Sequence, residues 1–223
     1  MWPHADGVTT AAPTKRNRTR DALLVALQEL LLDPDATVSV PQLVGRCGVA
    51  QGTFYNYFDS LPDAIDAVGA LILAEHARVL AAVIAGAADQ AEVVARSARQ
   101  TLMLLAHRPD VGRLLFDSGL PADRFGGGVR AHLRADLQRG IDAGVFAVVD
   151  LEVVCTVYAG VILGACLDIY RGRLPATAIP AVTEYLLRVL GVSKPKAQRL
   201  ANARQKFVQW RPLPLSTIEG TSP

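Results

Sequence analysis

A glycine-led turn between two short helical patterns constrains this chain more than any other feature. Ser39-Val40-Pro41-Gln42 reads as a capping box, with Ser39 as the N-cap and Gln42 placed to reach back. Leu43, Val44 and Cys47 give the helix that follows one apolar face, and Gly48 ends it, because glycine accepts the left-handed conformation a tight turn needs. After Gly48, Val49 and Ala50, the pattern predicts a second short helix over Gln51 to Phe58. Phe54 and Phe58 are four apart and turn inward together. Upstream, Leu23, Leu24, Leu27, Leu30 and Leu31 recur at helical spacing until Asp33-Pro34-Asp35 closes the stretch. The unit that results is three helices with a helix-turn-helix at its end.

Such a unit holds its last helix out so that the N-terminal end can enter a DNA major groove. Gly52 and Asn56 lie roughly opposite the two phenylalanines, and Gln51, Thr53, Tyr55 and Tyr57 fill the flanks. These polar types hydrogen-bond base edges or phosphates, and Gln or Asn can pair with adenine through two bonds. The helix carries no charge, so phosphate neutralisation has to come from elsewhere. Lys15, Arg16, Arg18 and Arg20 stand directly before the unit and are the obvious source. A net charge of +2 says little; what matters is where the charge sits. By itself a basic run is a solvated helix start, and short helix pairs also occur in domains that bind no nucleic acid. The ordered aromatic pattern and the position of the basic run favour DNA.

The run Val38-Ser39-Val40-Pro41-Gln42-Leu43-Val44, then Cys47-Gly48-Val49-Ala50-Gln51-Gly52-Thr53-Phe54-Tyr55-Asn56-Tyr57-Phe58-Asp59-Ser60, resembles the signature of the TetR family of bacterial transcriptional regulators, over about residues 18–70. The resemblance implies an all-α protein, with a three-helix DNA-binding domain followed by a helical ligand-binding and dimerisation domain. It also implies a cytoplasmic homodimer, a double-stranded operator with inverted half-sites, and release of DNA when a small effector binds. Two positions depart from the family pattern. Ala50 stands where serine is frequent, so the recognition helix lacks a side-chain N-cap. Leu61 stands where a phosphate-touching lysine is common. Neither contact carries over.

The remaining chain predicts helices throughout: an expected disordered leader over 1–13, the DNA-binding domain over 14–62, the ligand-binding and dimerisation domain over 63–192, and a basic C-terminal helix and tail over 193–223. A Gly/Pro loop is expected from Gly119 to Gly128. Val153 to Ile169 is nearly all apolar, but holds Thr156 and Asp168 and is shorter than the ~20 residues of a membrane span. It reads as a helix covered on both sides inside a soluble protein. Cys155, Tyr158, Ile162 and Cys166 fall on one face; Gly160 and Gly164 fall nearly opposite and allow a close helix approach. With Val182, Leu186 and Val189 these glycines are the expected dimer interface, although ordinary core packing explains such faces too. The pocket implied by the resemblance has Leu102, Leu105, Phe116, Phe125, Tyr158 and Ile162 as candidate lining, which suits a small hydrophobic effector with Tyr158 as a polar anchor.

Other chemistry finds no support in the residues. Cys47, Cys155 and Cys166 are odd in number and form no CxxC, and the histidines at 4, 76, 107 and 132 do not sit at metal-ligand spacing. No metal, no cofactor and no enzymatic activity are expected, nor any signal peptide or membrane partner. Two further readings stand beside the ligand-responsive repressor: a DNA-binding regulator controlled by oxidation or a protein partner, and a helical enzyme or scaffold. Finally, no acidic residue lies between Glu184 and Glu219, while Leu200, Ala203, Phe207 and Trp210 recur at helical spacing. That stripe predicts a helix from about Lys196 to Trp210 packed on the body, with Phe207 and Trp210 at least partly buried and the basic residues exposed.

Overall fold

The computed structural model describes residues 14–118 and 122–217, apart from the side chains of 122–129. The leader at 1–13 lies outside the described residues. Every regular element among the described residues is helical. Helix α1 spans Lys15–Leu32, α2 Val40–Cys47, α3 Gln51–Tyr55, α4 Leu61–Ile84 and α5 Gln90–His107. After these come α6 (Pro109–Phe116), α7 (Ala122–Asp142), α8 (Leu151–Tyr170), α9 (Ile179–Val189) and α10 (Lys194–Asn202).

The helix starts follow their side-chain caps. Thr14, Ser39, Ser60, Asp89 and Asp150 each accept a hydrogen bond from a backbone N–H in the first turn that follows. At the end of α2, Gly48 sits at φ 64°, a left-handed conformation that a side chain would strain. Helix α5 is the hub, packing against α4, α6, α7, α8, α9 and α10. One apolar cluster runs from Leu23, Leu27 and Phe54 through Val68 and Ile72 to Leu102 and Leu114; a second centres on Leu137, Cys155, Tyr158, Leu186 and Leu187. Ile162 and Val182 pack against both. Gly112 lets α6 lie on α8, since a Cβ there would stand 2.2 Å from the Tyr170 ring.

Four expectations need correction. The recognition helix stops at Tyr55 rather than Phe58, with Asn56 as its C-cap. Phe58 still keeps its place, because its N–H reaches the Phe54 carbonyl at 3.1 Å. Of the loop expected from Gly119 to Gly128, residues 119–121 lie outside the described residues and the rest is the first part of α7, which begins at Ala122 despite three successive glycines. The apolar helix α8 has 20 residues, and both it and α4 are long and apolar enough to cross a membrane by composition. Here α8 packs against α5, α6, α7 and α9, yet Val153, Val157, Val161 and Leu163 stay exposed, so a single chain covers only one of its sides.

The fourth correction concerns the C-terminus, where α10 ends at Asn202 and Ala203 turns extended. Residues 203–217 then run as a strap without helix or strand. Phe207 is half-buried and Trp210 is 5% exposed, so the segment packs as expected but in another conformation. Pro212 and Pro214 cannot continue a helix, and buried polar side chains supply the backbone partners a helix would have provided.

Candidate nucleic-acid interface and sensor core

The N-terminal end presents its candidate DNA residues in two groups. Gln51, Gly52, Tyr55 and Asn56 are exposed on and just after α3; Thr53 and Tyr57 are half-buried. Phe54 and Phe58 are buried beneath them, ring centres 5.6 Å apart, and the Tyr55 ring meets Phe54 edge-on at 5.2 Å. The aromatic pair therefore fixes the helix to the core while its polar side faces solvent. Ala50 contributes no side-chain cap, which leaves the first N–H groups of α3 without that partner. On α1, Lys15, Arg16 and Arg18 are exposed, and no ion pair engages them among the described residues. Arg20 differs: its guanidinium lies 5.2 Å from the Phe58 ring centre, so it also braces the end of the helix-turn-helix.

The expected lining residues divide. Leu102 and Leu105 are buried in the first cluster, Tyr158 belongs to the second, and Ile162 bridges them. Phe116 is half-buried and stacks on Tyr170 at 6.0 Å between centres. The side chain of Phe125 lies outside the described residues.

A run of polar groups that the sequence alone does not single out borders this core: His76 and Asp136 are half-buried, His132 is exposed and Tyr158 is buried. His76 on α4 shares a hydrogen bond of 3.3 Å between Nε2 and the Thr101 hydroxyl, while its buried Nδ1 has no partner among the described residues. Burial, and secondarily the charge of His132, pull the His76 imidazole down to about 4. His132 in turn acts on Asp136, one turn on along α7, whose carboxyl is raised by burial despite Arg139 and His132. Tyr158 on α8 is buried, and that burial, with Asp136 nearby, raises its hydroxyl well above the usual range. The spacing of His132 and Asp136, four apart on a helix, was the available signal.

The thiols are ill suited to chemistry. Burial raises all three, Cys166 to about 12, so each is held as the protonated, less nucleophilic form at neutral pH.

The expected dimer residues also divide. Gly160 and Gly164 are exposed, and a methyl added to either would meet nothing. Val189 is exposed and Val182 half-buried. Leu186, however, is 1% exposed and packs inside its own chain, so it does not line an outer face. Tyr185, 73% exposed, takes that position instead. The spacing of Val182, Tyr185 and Val189 on one helix was the signal for it.

Comparison with known proteins agrees with this architecture. Residues 89–203, just over half of the chain, match the family described as the tetracyclin repressor-like C-terminal domain. The chain therefore belongs to the TetR family, and it is a DNA-binding transcriptional regulator of that class. No curated protein matches the sequence significantly. Among solved structures, RolR in complex with resorcinol is similar at a TM-score of 0.70 and 22% identity, over 87% of this chain and 98% of that one. FadR from Bacillus subtilis in complex with stearoyl-CoA is similar at 0.58 and 18% identity, over 78% and 97%. The reduced form of NemR from E. coli is similar at 0.54 and 22% identity, over 79% and 99%. At these identities the likeness is one of fold.

Proposed function

We propose that this protein is a cytoplasmic homodimeric repressor that holds a double-stranded operator with inverted half-sites and leaves it when a small, largely apolar effector enters the core between α4, α7 and α8. On this reading residues 14–62 bind DNA, 63–192 sense and dimerise, and 193–223 form the C-terminal segment. The observation that carries the sensor assignment is the Nδ1 of His76, shielded from solvent and without a hydrogen-bond partner among the described residues, on the same polar run as the half-buried Asp136 and the buried Tyr158. An unpaired polar atom inside a protein costs stability and calls for an explanation, and a ligand bearing a hydrogen-bonding group is one. The apolar neighbours Leu102, Leu105 and Ile162 would take the body of such a molecule. Control by oxidation fits less well, because every thiol is shifted toward its unreactive form.

Assembly follows from the face that one chain leaves open. Val153, Val157, Gly160 and Gly164 on α8, with Val182, Tyr185 and Val189 on α9, make an apolar surface suited to a second copy. Resorcinol, the ligand in the RolR structure, is a small hydroxylated aromatic and a direct probe. The test is release of DNA from upstream of the protein's own gene in a mobility-shift titration against a panel of hydroxylated aromatics that includes resorcinol. Tyr158→Phe should weaken the response about tenfold, as expected for one lost hydrogen bond to a buried ligand. A panel member that releases wild type and Tyr158→Phe alike would remove Tyr158 from the site.

A further inference from the structure

The strap at 203–217 ties together helices that the sequence places far apart. Gln100 on α5 meets Val208 with both halves of its amide: Nε2 donates to the Val208 carbonyl at 2.8 Å, and Oε1 accepts the Val208 N–H at 3.1 Å. Further along, the Arg211 N–H and side chain donate to the fully buried Glu75 of α4, at 2.7 and 2.8 Å. Arg108 donates to the carbonyls of Trp210 and Arg211. Then Leu215 repeats the Val208 arrangement on α1: Gln28 Nε2 donates to its carbonyl at 2.8 Å, and its N–H donates to Gln28 Oε1 at 2.7 Å. Ser216 and Thr217 donate to Asp21, also buried on α1. One extended peptide is thus bonded in turn to α5, α4 and α1.

The target of the last bonds matters. Helix α1 carries the basic arm at its start and packs on α2, which holds α3 through the turn. Apart from one long hydrogen bond, 3.4 Å from Arg113 of α6 to the carbonyl of Leu32 at its last residue, its packing on α4 and α6 is through apolar side chains, and such contact is non-directional, so it resists separation more than rotation. Hydrogen bonds fix direction. Gln28 is completely buried, and although its Nε2 also donates to the Leu24 carbonyl at 3.1 Å, losing Leu215 would leave Oε1 without its partner.

We propose that the strap is the positioning element of DNA binding: through Gln28 and Asp21 it sets how the helix-turn-helix is presented relative to the sensor core, and with it the half-site spacing the dimer accepts. The spacing consequence rests on the dimer and operator reading above; the latch on α1 stands on the hydrogen bonds alone.

Two variants test it, Gln28→Met, which keeps the bulk and removes both bonds to Leu215, and a chain ended after Pro212, which removes the latch but leaves Val208, Trp210 and Arg211 in place. Hydrogen exchange needs neither DNA nor a dimer. Amides of α1 should exchange about tenfold faster in both variants, while α5 and α9 stay at wild-type rates. The second readout is a duplex selected from a random library by wild type, compared with the same duplex carrying one inserted base pair between half-sites. Wild type should discriminate by about tenfold or more and the variants by about threefold or less, because freed helix-turn-helix units follow the displaced site. Wild-type exchange in both variants overturns the latch. Faster exchange with wild-type discrimination overturns the positioning role. Should wild type select a single unpaired half-site, the dimer reading fails separately, and α1 exchange alone decides the latch.

Discussion

The two basic ends of the chain look alike as sequences and behave differently as structures. Lys15, Arg16 and Arg18 stand exposed with no ion pair among the described residues. In the C-terminal stretch Lys196 pairs with Asp89, Arg211 pairs with the buried Glu75, and Arg199, Arg204 and Lys206 project from a peptide that is otherwise bonded down. Its backbone is what holds that stretch. Gln28 and Gln100 each offer a carbonyl and an amino group to one residue, as a neighbouring strand would. The lesson is that a charge run tells little until the company it keeps is known. Charges accompanied by aromatic and apolar residues belong to a packed segment, and charges without them remain available to a polyanion.

The largest effect that would break this contrast concerns Trp210. If the strap is part of the core, Trp210→Ala should destabilise the protein by about 3–5 kcal/mol in urea denaturation, with the salt slope of DNA binding unchanged. A loss of salt slope without a loss of stability would move the C-terminal stretch into the same class as the arm.

Next in size is a pH dependence. The His76 ring lies 5.8 Å from Trp210, in the site where the strap docks. His76 takes up a proton near its ordinary 6.5 when unfolded and only near 4 when folded. Its contribution is therefore intact above pH 6.5 and drains as pH falls toward 4, by at most ~3 kcal/mol. Burial works to raise the Glu75 carboxyl, but hydrogen bonds from Arg78 and Arg211 outweigh it and hold it at about 2. Glu75 adds a loss in the same direction as pH falls below about 4.5. Denaturation at pH 7 and pH 5 should show His76→Gln with a flatter pH dependence than wild type, and equal slopes would remove His76 as the cause.

The smallest effects sharpen the contrast. Lys15→Ala and Arg18→Ala should each lower the slope of log affinity against log salt by about one unit for any DNA and leave stability within ~0.5 kcal/mol. Arg204→Ala and Lys206→Ala should change neither quantity. A slope that falls in the second pair and not the first would invert the assignment.

Much of this was legible because it depends on local chemistry. Ser39, Gly48, Ser60 and Asp150 mark helix ends through their own side chains or backbone freedom, and Phe54 with Phe58 marks a buried face by spacing alone. What escaped depends on distant partners. Nothing near Ala203 announces that the helix ends there, since Gln100 and Gln28 lie more than a hundred residues away along the chain. Gly126, Gly127 and Gly128 argue for a loop by propensity, yet α7 includes them. Leu186 and Tyr185 are both apolar enough for an interface, and only the direction of α9 against its neighbours decides which of them faces outward.

An uncharged recognition helix has a consequence for how such a regulator finds its target. On the proposed reading, residence on random DNA depends on the arm, because α3 offers nothing for a phosphate charge. Choice among sites depends on Gln51, Thr53, Tyr55 and their neighbours. Search and choice are then separate dials. Salt, or charge changes at positions 15–18, would alter how long the protein scans a chromosome while leaving its ranking of operators intact. Substitutions on α3 would re-rank the operators at an unchanged scanning speed, which makes this helix a surface on which new operator preferences can be tried without losing the protein's grip on DNA.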